Sequence, residues 1–173
     1  MLRYEDYAPY ISTWNREDEE LYGNQFPNRD AGEFLAENIP LLDFPDKSLE
    51  ITYYFRWWTF RKHIRKLPDG GHVITEFLPD VIWAGPQNSI NCAAGHHIME
   101  GRWLRDSSYL ADNFRFWYRS GALLRHYGTW LEYGMRAFCE VTGDRSLAED
   151  LLTDMEDDLR GWEESKPGPF GGR

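Results

Sequence analysis

Tyr53 to His63 reads YYFRWWTFRKH, Thr75 to Gly85 reads TEFLPDVIWAG, and Asn88 to Trp103 reads NSINCAAGHHIMEGRW. The first string decides the fold class. Ile51, Tyr54, Phe55 and Trp58 keep the i, i+3, i+4, i+7 spacing of an amphipathic helix, which predicts helix from about Ser48 to Leu67. Arg56, Thr59 and His63 share one face of that helix and alternate with aromatic rings. Rings stack on the C–H faces of a polyhydroxylated ligand, while guanidinium and imidazole groups bind its hydroxyls. The ordinary alternative is a buried aromatic helix whose arginines reach out to water, and for this helix taken alone that is the stronger reading.

Outward from this stretch, the 173 residues have the length of one ordinary domain. Hydrophobic residues make up 42% and aromatic residues 16%, eight of them Trp, which argues for a folded chain and against disorder. A formal charge of −10 argues against nucleic acid as a partner, because phosphate recognition needs a basic patch. Cys92 and Cys139 make neither a disulfide framework nor a zinc spacing, and are expected as packed thiols. The start, MLRYEDYAPYISTW, lacks the basic and apolar regions of a signal peptide. No stretch approaches the roughly 20 apolar residues of a membrane span, so no membrane partner is expected.

Residues 1–29 are polar, aromatic and turn-rich, and read as an extended arm. Residues 30–165 read as one helical domain, and 166–173, KPGPFGGR, as a loop or linker. Asp30 caps a short helix over Ala31 to Asn38, which Pro40 stops. After the aromatic helix, LPDGG is a turn, and a short β segment falls within 72–78. Pro79 and Pro86 bracket a loop carrying Asp80, Trp83 and Gly85. A helix follows over about Ile90 to Leu104, with small residues from Cys92 to Gly95 that permit close approach. Ser107 or Ser108 caps the next, with Leu110, Phe114 and Trp117 inward. Thr129 caps another, with Leu131, Met135, Phe138 and Cys139 inward and Gly143 at its end. Ser146 and Glu149 form a capping box for the last, with Leu147, Leu151, Met155, Leu159 and Trp162 inward. Asp106, Asp112, Asp144 and the run from Asp154 to Asp158 read as caps and solvated faces. Short links between these segments imply antiparallel helical hairpins and a mainly all-α fold.

The three quoted strings resemble the N-terminal part of the catalytic domain of six-hairpin, (α/α)6-toroid glycoside hydrolases, near the trehalases, mannosylglycerate hydrolases and processing α-glucosidases. The resemblance implies about half of a toroid over residues 30–165, and a fragment of a hydrolase of O-glycosidic bonds with an oligosaccharide or polysaccharide substrate. It implies an inverting mechanism, in which one carboxylic acid protonates the leaving oxygen and a second carboxylate activates water. The acid and base of such enzymes lie beyond Arg173, so no catalytic residue carries over. A wall of the sugar site does: Trp83, Gly85 and Asn88, with Arg56, Trp57 and Asp80 near it. The resemblance further implies a periplasmic or secreted full-length protein, no cofactor, and self-association where the remaining half-barrel is absent. The competing reading is a non-catalytic helical module that binds carbohydrate or protein.

Glu76 and Asp80 are the fallback carboxylate pair. Pro79 between them excludes helical pairing, and the simpler expectation is that Glu76 pairs with an Arg of the aromatic helix while Asp80 closes a turn or binds ligand hydroxyls. His96, His97 and Glu100 place an i, i+4 His and Glu on one helix face, but no third metal ligand stands out. No metal is expected.

Overall fold

The computed structural model describes residues 2–23 and 25–165. The segment 166–173, read above as a linker, lies outside the described residues. Eight α-helices and one two-stranded sheet occur among them: α1 (Ala8–Glu17), α2 (Ala31–Asn38), α3 (Lys47–Phe60), β1 (Ile64–Lys66), β2 (His72–Ile74), α4 (Asn91–Gly101), α5 (Ser108–Arg119), α6 (Leu131–Thr142), α7 (Ser146–Asp150) and α8 (Leu152–Ser165). The protein is mainly all-α.

The N-terminal residues are not an extended arm. Tyr7, Tyr10, Ile11 and Trp14 follow the helical i, i+3, i+4, i+7 pattern, and Pro9 sits in the first turn of α1, where its missing N–H is tolerated. The helix lies on α3. Tyr7 stacks on Tyr54 with centroids 4.5 Å apart, Trp14 meets Phe55 edge-on at 5.2 Å, and the Trp58 indole N–H donates to Asn15 at 2.7 Å.

α3 begins where Asp46 accepts the Ser48 N–H at 2.9 Å, and it ends sooner than its sequence suggests. Beyond Phe60 the chain makes one 3-10 turn and becomes β1, antiparallel to β2 with Ile64 opposite Ile74 and Lys66 opposite His72. The basic run RKHIRK suits a helix C-terminus. Pairing with a strand ten residues on outweighs that local preference, and Ile64, a β-branched residue, is fully buried by it. The β segment spans three residues of the expected 72–78.

α5 covers the sheet. Asn113 is buried and its side-chain oxygen accepts the Ile74 N–H at 3.0 Å, while His72 and Asp112 meet at 3.0 Å. α4 and α6 pack closely because Gly134 admits Ile98, whose branch methyl would stand 3.1 Å from any Cβ placed there. Leu110, Phe114, Trp117, Leu131, Met135 and Phe138 all enter the core as their spacing requires. Gly143 ends α6 in the left-handed region at φ 71°.

Several local expectations differ from the structure. Asp30 and Ser107 stand at the N-caps of α2 and α5 without a side-chain cap bond, Asp106 accepting the Ser108 N–H at 2.9 Å instead, and Trp130, not Thr129, is the N-cap of α6. Cys92 is exposed, because α4 turns Ala94 and Gly95 inward instead. Asp144, not a Ser146–Glu149 box, accepts the Ser146 N–H at 2.8 Å. Leu159 is exposed on α8. Asp158 is no solvated residue: its side chain is 3% exposed and accepts from Arg125 at 2.9 Å.

Candidate functional site

Two loops meet at the N-terminal end of α4. The first, residues 76–90, is closed at its base by Glu76 N–H to Asn88 O at 3.2 Å and folded back by Gly85 N–H to Ser89 O at 3.1 Å. Gly85 is required there, since a Cβ would come within 2.7 Å of the Ser89 carbonyl. Gln87 and Asn88 both take left-handed φ values, 57° and 58°, a region where Asn is well tolerated. The second loop, residues 121–130, returns from α5 to α6. Thr129 donates its hydroxyl to Asn91 O at 3.0 Å.

Between the loops lies a narrow cleft of about 20 Å³, lined by Trp83, Gly85, Ile90, Leu123, His126 and Tyr127 among others. Trp83 is 65% exposed and held edge-on by Phe77 at 4.8 Å. Tyr127 is also exposed and meets His126 at 4.5 Å. Lower down, Trp130 fills the space over Gly95 and lies edge-on to His96 at 4.9 Å. The small residues early in α4 therefore admit an indole. Among the described residues no carboxylate lines the cleft, and its lining offers stacking rings, hydrogen-bonding groups and one imidazole, His126.

The residues picked out from sequence fall in three settings. Trp83 and Gly85 line the cleft. Asn88 is at its base with its side chain 6% exposed and wholly turned onto main chain: it accepts Val81 N–H at 3.1 Å and donates to Phe77 O and Pro79 O at 2.6 and 2.8 Å. It has no donor left for a ligand. Trp57 is a core residue, 4% exposed and edge-on to Phe60, so it belongs to no open wall. Arg56 forms a two-pronged ion pair with Glu100, Nε to Oε1 at 3.1 Å and Nη2 to Oε2 at 2.6 Å. Asp80 is held on the surface by Arg65 of β1 at 2.9 Å.

Glu76 faces His97 at 3.6 Å, not an arginine of α3. That separation is too long for a hydrogen bond, and burial pushes the His97 imidazole down to about 4, with His63, His96 and Arg56 adding to the effect. His97 is neutral at pH 7, and the contact is not a charged pair. His63 donates through Nδ1 to Thr75 O at 2.9 Å and is likewise lowered, first by burial. His96, His97 and Glu100 thus serve three different partners. No group of three or more His, Cys, Asp or Glu among the described residues is placed to hold a metal ion.

The sequence marks neither Asn91 nor, apart from Thr129 as an expected helix cap, the residues of the 121–130 loop. The available signal is two aromatic residues, Tyr127 and Trp130, in a short non-periodic segment bounded by glycine.

A family model for the mannosylglycerate hydrolase MGH1-like glycoside hydrolase domain matches residues 86–172, from the second half of the first loop onward. A solved structure described as a sialidase superposes with a TM-score of 0.93 at 35% identity over 98% of this chain. The chain spans 16% of that protein's length. No curated protein matches. With its match running through the 121–130 loop and α4 to α8, the chain belongs to the MGH1-like glycoside hydrolase domain family.

Proposed function

We propose that this chain is part of the catalytic domain of a glycoside hydrolase, contributing about half of an (α/α)6 toroid, and that the two loops at the head of α4 form one wall of its sugar pocket. The observation that carries this reading is Trp83: a large ring, 65% exposed, fixed edge-on by Phe77 and facing a second loop that presents Tyr127. A bare indole held rigid beside hydrogen-bonding groups suits the apolar face of a pyranose. Family membership supports a carbohydrate substrate, and the relative's description as a sialidase supports a glycosidic bond as the target.

The reading includes an inverting reaction, whose acid and base stand about 6.5 to 9.5 Å apart across the scissile bond. Glu76 and Asp80 do not suit those roles here, being turned to His97 and Arg65. The pair is therefore assigned to other parts of the full-length protein. Arg56 and Asp80 stand as outer contacts of the pocket, where substrate hydroxyls would exchange for their present ion-pair partners.

The test is Trp83→Ala in the full-length protein, assayed with mannosylglycerate and a panel of aryl glycosides. KM should rise or kcat fall about tenfold or more, while the thermal midpoint stays within about 4 °C. Unchanged kinetics would remove Trp83 from the pocket. Proton NMR of the first-formed anomer decides the stereochemistry, and retention would exclude the inverting assignment.

A further inference from the structure

We propose that Asn88 and Asn91 are positioning residues, two buried amides that tie the separate loops of the site to one helix end and so fix the spacing of the Trp83 and Tyr127 rings. The proposal rests on the sugar-pocket reading above.

The two residues stand three apart, Asn88 in the last turn of the first loop and Asn91 as the first residue of α4, and each is almost fully buried, at 6% and 1% exposure. A buried amide needs partners, and these find theirs on loop main chain alone. Asn88 binds the 77–81 segment through Phe77 O, Pro79 O and Val81 N–H. Asn91 binds the 124–127 segment: its Nδ2 donates to Leu124 O at 2.8 Å and to Tyr127 O, and its Oδ1 accepts Tyr127 N–H at 3.1 Å. Each amide has two N–H donors and one oxygen, and all are engaged in both cases.

The chemistry admits few substitutes. Aspartate would keep the single accepted bond, lose both donated ones and set a carboxylate against two carbonyl oxygens. Leucine would leave buried loop groups without partners. Neither loop has a strand ladder to satisfy these groups, so the amide is what gives each its shape. Asn91 opens α4 and Asn88 closes the first loop just two residues before the helix N-cap Ile90, so the distance between the loops is carried by this short stretch of chain and the helix it enters. Asn91 lines the cleft, but the polar atoms of both amides are engaged on main chain, and their effect on binding passes through the rings they place.

The experiment compares the full-length protein with Asn88→Leu and Asn91→Leu, which remove the accepted as well as the donated bonds, reading amide hydrogen exchange and the affinity for mannosylglycerate, followed by fluorine NMR of 5-fluorotryptophan at position 83. N91L should speed exchange at Tyr127 and leave Val81 protected, and N88L should do the reverse. Each should weaken binding about tenfold. In a Tyr127→Ala background N91L should weaken it little further, because both changes remove the same placed ring. Unchanged exchange would overturn the anchoring. Faster exchange with undiminished affinity, or full additivity with Y127A, would overturn the positioning role. Asn91→Ala, which removes the same three amide bonds without added bulk, gives the same comparison should N91L fail to fold. Absence of sugar binding by the unsubstituted protein would overturn the pocket reading, and the exchange data would still decide whether the amides hold the loops.

Discussion

Gly95 of α4 lies flat against the indole of Trp130: a Cβ on that glycine would come within 2.5 Å of the ring. The contact seats the start of α6 on α4 and supports the loop that carries Tyr127. Gly95→Ala should therefore destabilise the protein by about 1 to 3 kcal/mol despite the better helix propensity of alanine. Gly128→Ala is the control, since a Cβ there would meet no atom within 4 Å and the backbone is outside the left-handed region, and it should be neutral. Equal denaturant midpoints for the two variants would show that the ring yields freely.

How much of this is legible in the sequence depends on the range of the interactions. Leu110, Phe114 and Trp117, or Leu131, Met135 and Phe138, announce their helices because burial falls on one face and repeats within a few residues. α3 is apolar almost all round. Its residues therefore do not separate Trp57, which is buried, from Phe55, which is 41% exposed. α1 is obscured by Pro9 and by the turn-rich residues after it. Trp83 stands out as a lone ring between two prolines. Asn91 does not, because its meaning lies in bonds to Leu124 and Tyr127, more than thirty residues away. Periodicity carries no trace of such contacts.

Arg125 and Asp158 provide a second test. The Asp158 carboxylate is 3% exposed and has Arg125 at 2.9 Å, with the guanidinium packed over Gly161. Removing the cation leaves a buried charge with its partner gone. Arg125→Met should cost about 3 kcal/mol, and adding Asp158→Asn should recover much of that. Asp157→Asn, on an exposed carboxylate, should change little. A silent R125M would mean that Asp158 is hydrated in solution.

The His97 imidazole gives stability a defined pH dependence. Its folded value of about 4 lies below the ordinary 6.5, so between those values the unfolded chain binds the extra proton. Stability is then complete above about pH 6.5 and falls as the medium is acidified toward pH 4, by about 1 kcal/mol per pH unit from this group. His63 acts in the same direction. The charged and titratable groups facing His97 are Glu76, His63, His96 and Arg56. His97→Gln should flatten the thermal midpoint between about pH 6.5 and 4.5, and an unaltered slope would place the dependence on the other groups.

α8 carries an apolar stripe that the core covers only in part. Leu152, Met155, Leu159 and Trp162 line a groove of about 630 Å³ whose opposite wall is Gly128, Thr129 and Glu132 at the start of α6. Leu152 and Leu159 are 53% and 61% exposed, on a helix that follows directly on the fully buried Leu151. An apolar stripe of this kind on a folded chain favours association, and the −10 charge opposes it only in part, because salt screens charge and leaves apolar contact intact. Residues 1–173 produced alone should therefore be larger than a monomer by light scattering at about 0.3 M salt, and Leu152→Glu with Leu159→Glu should return them to monomer mass without loss of helical circular dichroism. The same preparation should show no turnover of aryl glycosides, since the cleft beside Trp83 has no carboxylate in its lining among the described residues. A monomer at high salt would show that the groove is too shallow to hold a partner. Turnover would make Glu76 and Asp80 the first residues to substitute.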